Sequence, residues 1–216
     1  MAYAEAAVVA YLRALYGIRD LLRDVPTRPD PLSWVELGRE AATLAMPFAV
    51  GQAAGRTGPA RWGAFLYAWG VWDLAYYGWL RLLVGFPKSL WDWDLLFLIP
   101  LPWWAPVWAP VLAALLLAGF GAAVAFRGEA GLPVGVDLPS AVAATAGSVA
   151  ALGAVMAPAL GRLGEGWEAA VAARPEAFPW ALYLVGWAGV AWAAWRVATG
   201  RSVRGRLRGL PSRETL

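Results

Sequence analysis

Three stretches of about twenty residues with almost no charge constrain this chain more than any other feature. Residues 107–126 and 139–160 contain no Asp, Glu, Lys or Arg, and residues 180–199 contain one, Arg196. A helix rising about 1.5 Å per residue needs roughly 20 apolar residues to cross a hydrocarbon core about 30 Å thick. Residues 34–54 and 61–85 are as long and mostly apolar, but carry ionisable side chains. The pattern predicts an all-α integral membrane protein, a bundle of about five transmembrane helices. Composition agrees, with 60 % apolar and 15 % charged residues, against about 45–50 % and 25 % in soluble domains. The 15 tryptophans suit a boundary where an apolar ring with one N–H donor meets lipid headgroups.

Flanking segments follow different rules. Residues 1–32 lack the basic start and apolar core of a signal peptide. Tyr11, Leu15, Ile18 and Leu22 recur at helical spacing opposite Glu5, Arg13, Asp20 and Asp24, which predicts one amphipathic helix over residues 4–24, interfacial or packed on the bundle. Pro26, Pro29 and Pro31 stop it, and Ser33 with Glu36 forms a capping box for the first span. The bundle then occupies residues 33–200. Within it, residues 86–106 are irregular, because Pro87, Pro100, Pro102 and Pro106 break any helix. A half-helix or re-entrant segment is expected there, since irregular backbone at membrane depth must be buried in protein or reached by water. Ala143, Gly147 and Ala151 have the spacing of close helix contact, placing the fourth span centrally. A short surface helix is expected near Trp167–Ala173, and Trp180, Tyr183 and Trp187 line one side of the last span as belt or packing stripe.

Residues 201–216 form a basic tail with Arg201, Arg204, Arg206, Arg208 and Arg213. Anionic lipid is its expected partner rather than nucleic acid. Basic loops favour the cytoplasmic side, so the tail, Arg56 and Arg61 are expected inside and the amino terminus outside, in a bacterial inner membrane. A membrane-protein partner or a second copy of the chain is compatible with the exposed tryptophans.

Absent residue types limit the chemistry. Without Cys or His there is no His- or Cys-ligated haem, zinc or iron–sulfur cluster, and no Ser-His-Asp triad. Lys88, the single lysine, lies in a Pro-Lys-Ser turn, unsuited to a mid-membrane Schiff base. Gly55-Arg56-Thr57-Gly58 lacks the Gly-Lys-Ser/Thr ending of a phosphate loop. Carboxylates, arginines and tyrosines remain.

Ionisable residues inside spans cost about 2.5–3.5 kcal/mol each on insertion scales, so each is a site candidate. Glu36, Arg39 and Glu40 share one helix face, as do Asp73, Tyr77 and Arg81. If Trp34 and Gly85 mark the outer boundary, Glu40 lies about 9 Å in, Arg81 about 6 Å and Asp73 about 18 Å. Asp92 and Asp94 begin the irregular segment on the same side. One outer cluster of these residues, with Tyr76 adding a hydroxyl, is therefore expected. It has two readings. Its carboxylates carry protons or hold a hard divalent cation, Glu36, Glu40 and Asp73 being the candidate ligands. Alternatively, they are structural ion pairs and helix caps. Likewise Trp91/Trp93 and Trp103/Trp104 either stack a ring ligand or form an interfacial belt.

The segments GREAATL (Gly38–Leu44), WDLAYYGWL (Trp72–Leu80) and WDWDLLFLIPLPW (Trp91–Trp103) resemble those of uncharacterised small polytopic membrane proteins of bacteria. That resemblance covers the central third of the chain and implies a membrane bundle without assigning an activity. Three functions stand: translocation of an ion, proton or small solute; an accessory subunit of a larger membrane complex; and, ranked below these, an intramembrane enzyme for a lipid-like substrate.

Overall fold

A computed structural model describes residues 1–24, 31–98 and 101–203, with nothing given for the Ser33 side chain. The expected Ser33 cap, Pro26, Pro29, Pro100 and the tail arginines from Arg204 onward lie outside that description. In chain order the elements are α1 (Ala2–Tyr16), α2 (Leu21–Asp24), α3 (Pro31–Ala54), α4 (Gly58–Val84), β1 (Trp93–Leu95), β2 (Trp104–Pro106), α5 (Trp108–Glu129), α6 (Leu138–Val155), α7 (Ala157–Gly161), α8 (Trp167–Ala172) and α9 (Trp180–Ala198). One 3-10 turn, Leu163–Glu165, precedes α8.

The chain is mostly helical, and α5, α6 and α9 are long and apolar enough to cross a bilayer. Most of their surface points outward, as lipid solvent allows. Although longer, α3 and α4 are less apolar, because Glu36, Arg39, Glu40, Arg61, Asp73 and Arg81 interrupt them and tryptophan and tyrosine replace aliphatic residues in α4.

Glycine seams set the helix pairs. Gly63 and Gly70 of α4 lie against Gly121, Ala125, Ala114 and Ala118 of α5, with backbone so close that any Cβ would overlap it. Gly147 of α6 and Gly186 of α9 meet in the same way. The small-residue stripe of the fourth span is thus an α6–α9 seam, but α6 is not central. It lies beside α9 and meets the rest chiefly where Ala151, Ala154 and Val155 join Ala105, Ala109 and Tyr183. Tyr183 also donates its hydroxyl hydrogen to the Ala109 carbonyl at 2.7 Å. It and its neighbours Trp180 and Trp187 form a packing stripe.

Two expectations about helix continuity fail for local reasons. The amino-terminal helix stops at Tyr16, because Gly17 adopts a left-handed φ of 65°. Ile18 N–H then bonds the Arg13 carbonyl at 2.8 Å, completing a Schellman ending. In the fourth span Pro158 lacks the N–H that would bond Ala154, so α6 ends at Val155 and α7 follows after Met156.

The irregular segment is a β-hairpin rather than a half-helix. β1 pairs antiparallel with β2 in the register Trp93–Pro106, Asp94–Ala105 and Leu95–Trp104. The ladder continues outward: Trp108 N–H reaches the Leu90 carbonyl at 2.8 Å and Trp103 N–H the Phe97 carbonyl at 2.8 Å. Prolines here remove helix donors, whereas bulky aromatics suit paired strands. The hairpin leaves the end of α4 and returns to the start of α5, at the same end of the helix pair.

At the far end of the bundle, Asp137 caps α6 by accepting from Ser140 N–H at 3.2 Å and pairs with Arg196 of α9. Arg196 Nε also donates to the Ser140 hydroxyl at 3.1 Å. The Ser140 hydroxyl, aided by the Arg196 guanidinium, holds the Asp137 carboxyl below its ordinary value of 3.8. A carboxylate with a lowered folded value stabilises the fold above the ordinary value, and this contribution is lost as pH falls through the lowered one. Asp137→Asn is therefore expected to melt below the native chain at neutral pH, and the two melting curves should converge in strong acid. A gap that persists there would mean that the charge is not the cause.

Candidate functional site

At the hairpin end, α1, α3, α4 and β1 bring polar groups together in two adjoining sets. The first joins α1 to α3. Arg39 pairs with both Glu5 and Glu36, and the three side chains are only 19 %, 12 % and 17 % exposed. Thr43 Oγ1 is 2.9 Å from the Glu5 carboxylate and 2.8 Å from the Arg39 carbonyl, so its one hydrogen serves either acceptor. Glu40, buried, accepts from Leu98 N–H at 3.3 Å and ties α3 to the hairpin.

The second set joins α4 to the hairpin. Tyr77 donates its hydroxyl hydrogen to Asp94 Oδ2 at 2.9 Å, and both residues are buried. Asp94 Oδ1 accepts from Leu95 N–H at 3.0 Å. Asp73 lies within electrostatic reach of Asp94. No group among the described residues donates a hydrogen bond to Asp73 or pairs with it. Arg13 of α1 is the cation facing Asp94, its guanidinium 4.3 Å from the centre of the Phe86 ring. Tyr76 lies between the sets, within reach of Arg13, Arg39, Asp73 and Asp94.

Of the expected cluster, Glu36, Arg39, Glu40, Asp73, Tyr77 and Asp94 assemble in these sets, whereas Arg81 and Asp92 do not. Arg81 is exposed and donates to the carbonyls of Gly85 at 2.7 Å and Pro87 at 3.0 Å, closing the end of its own helix. It makes no pair with Glu40. Asp92 accepts from the N–H groups of Lys88 and Ser89 at 2.7 and 3.2 Å, a turn role rather than a half-helix cap. Glu36, Glu40 and Asp73 do not converge as a ligand set: each has the separate surroundings just given. Among the described residues no three Asp or Glu side chains are grouped to hold a metal ion.

Glu5 and Arg13 are the site residues that sequence reasoning placed elsewhere. An amphipathic helix in water would turn them outward, but α1 turns them inward and exposes Tyr11 and Leu15, which are 68 % and 70 % exposed. Inward polarity is the arrangement that lipid solvent favours. The signal was available: Ala2, Glu5, Ala6, Val9 and Arg13 lie on one face, and its small residues allow close approach to α4.

Of the paired tryptophans, Trp104 is 1 % exposed beneath Arg174, whose guanidinium lies 5.2 Å from the ring centre. Trp93 stacks edge-on with Phe178, Trp103 with Phe97 and the more exposed Trp91 with Trp180. Protein rings therefore occupy most of the faces that a ring ligand would need.

Arg39 is the hinge of the first set. Arg39→Gln leaves two half-buried carboxylates without a cation, a class of change that costs about 3 kcal/mol or more. The expected result is a lowered melting point with early proteolytic cleavage in α1. Cleavage in α1 no faster than in the native chain would show that the pairing does not hold that helix.

No family model, curated protein or solved structure matches this chain.

Proposed function

We propose that the chain is a five-span membrane protein that translocates a proton, alone or coupled to an ion or small solute, through the hairpin-end cluster. The spans are α3, α4, α5, α6 and α9. Support for α3 and α4 comes from packing. α4 runs antiparallel to the apolar α5 from Gly63–Ala125 to Gly70–Ala114, and so occupies the same depth. α3 lies along α4, with Gly51 against Phe65. At 15 residues, or about 22 Å, α1 is too short to cross and flanks one half of α4.

Arg56, Arg61, Arg127, Arg196 and Arg201 gather at the end opposite the hairpin, which this reading places in a bacterial cytoplasm. The hairpin then faces outward and the expected domain limits stand, with a cytoplasmic carboxyl terminus.

One observation carries the reading. Asp73, eleven residues inside the end of α4 and about 16 Å along its axis, has no hydrogen-bond donor or cation of its own among the described residues, yet lies within electrostatic reach of a second carboxylate, Asp94. An unpartnered carboxylate inside a span is the kind of group that carries protons, and a second carboxylate within reach offers it a relay. Tyr77 and Tyr76 supply hydroxyls beside that pair, and Arg13 balances the remaining charge. A structural ion pair would have given Asp73 a cation.

The test is purified protein in liposomes holding a pH-sensitive dye, under an imposed pH gradient with the membrane potential clamped. Proton equilibration faster than in protein-free liposomes is expected. Folded protein that leaves the rate unchanged would remove this function.

A further inference from the structure

On the other side of α4 lies an apolar groove of about 480 Å³, within the roughly 300–1,000 Å³ of ligand pockets. Val50 and Ala54 of α3 form one wall, Ala64, Ala68, Val71 and Ala75 of α4 with the rings of Tyr67 and Trp72 form the other, and the first residues of α1 close its inner end. We propose that this groove is a binding site for one acyl chain of an anionic phospholipid, with its headgroup held by Arg61.

Three features argue for that occupant over a peptide or a second copy of the chain. The first is depth. From Ala64 to Ala75 is eleven residues, or about 16 Å of helix, close to the 15 Å of one leaflet in a core of about 30 Å. A groove one leaflet deep and stopped at mid-membrane has the length of an acyl chain.

The second is surface chemistry. Beside Tyr67 and Trp72, the α4 wall carries small side chains at three- and four-residue spacing, and the lining is apolar over nearly all of its surface, which suits an acyl chain better than a peptide backbone.

The third is charge. One more step of the same spacing toward the membrane surface reaches Arg61, so Arg61, Ala64, Ala68, Val71 and Ala75 share a face. Arg61 is exposed, its Nε donates to the Gly55 carbonyl at 3.2 Å, and among the described residues it pairs with no carboxylate. Neighbouring Arg56, by contrast, has Glu129 at 4.0 Å. A guanidinium at headgroup height with open donors suits a phosphate. The inference requires α4 to lie in the bilayer but is independent of proton movement.

The experiment uses the full chain in phosphatidylcholine nanodiscs containing a little phosphatidylglycerol with a photoactivatable group halfway along one acyl chain. Cross-linked peptides are mapped by mass spectrometry. Labels are expected to concentrate on residues 50–75, and unlabelled phosphatidylglycerol should displace them about tenfold better than phosphatidylcholine, one hydrogen-bonded charge contact being about 1.4 kcal/mol or more. Ala68→Trp, which fills the channel, should lower labelling at least as much. Arg61→Gln, an exposed change that spares the fold, should abolish the preference between the two lipids while labelling persists. Labels spread evenly over the exposed faces of α5, α6 and α9 would overturn the site. So would folded Ala68→Trp protein labelled like the native chain. An unchanged lipid preference in Arg61→Gln would overturn the role of Arg61.

Discussion

Gly121→Val is expected to abolish most of the folded protein, whereas Gly119→Val, two residues away on the same helix, should be tolerated. A Cβ at Gly121 would lie 2.3 Å from Tyr67 N and 2.7 Å from the Gly63 carbonyl oxygen, both backbone atoms that cannot turn aside. At Gly119 a Cβ meets nothing within 4 Å. The two positions therefore share the helix, its propensity cost and its depth, and differ in packing alone. Overpacking of this kind costs about 1–3 kcal/mol and occasionally more, and valine adds two methyl groups to a contact that the Cβ alone already violates.

Alanine gives a sharper form of the comparison, because the signs diverge. In an open helix Gly→Ala stabilises by about 1 kcal/mol, so Gly119→Ala should raise the melting point and Gly121→Ala should lower it. Gly63, Gly70, Gly121 and Gly128 repeat every seven residues on their two helices, the period that keeps one seam facing its partner. The same contrast is thus expected at Gly63. Equal melting points for the two alanine variants would mean that α4 and α5 do not touch there.

That seam shows where sequence reasoning reached and where it stopped. The apolar stretches of α5, α6 and α9 were legible because length and lack of charge are local properties. The short helix near Trp167 was legible for similar reasons. A seven-residue glycine repeat shared between two helices is not local, and the four-residue stripe of α6 was the more visible pattern.

The hairpin was missed because a run such as Leu95–Leu98 is equally apolar in a strand and in a helix, and periodicity does not separate them. Only the backbone pairing that the prolines leave available decides it. Of the site, the faces Glu36–Arg39–Glu40 and Asp73–Tyr77 followed from helical spacing. Arg81 did not join them, because its own helix end offers carbonyls nearer than any carboxylate. Glu5 reaches Arg39 across 34 residues, a pairing fixed by how α1 docks, with its polar side inward.

Asp73→Asn is the variant with the largest expected effect on function. Asparagine keeps the size and polarity of the side chain but can neither take up nor release a proton. If the carboxylate pair is the transfer point, proton flux should fall by about 100-fold or more, the scale of losing a positioned proton-transfer group, down to the leak of protein-free liposomes. Asp73 makes no hydrogen bond among the described residues, so the melting point should change little, which separates loss of function from loss of fold. Tyr77→Phe tests the same pair more gently. Its hydroxyl stabilises the charged form of Asp94, and a hydrogen bond to a charged group is worth about 1.5–3 kcal/mol. Without it, the proton is held more tightly and the midpoint of the flux–pH curve should move up. A purely structural tyrosine would lower the folded amount without moving that midpoint. Native flux in Asp73→Asn would place the proton path elsewhere and leave the two carboxylates as parts of the scaffold.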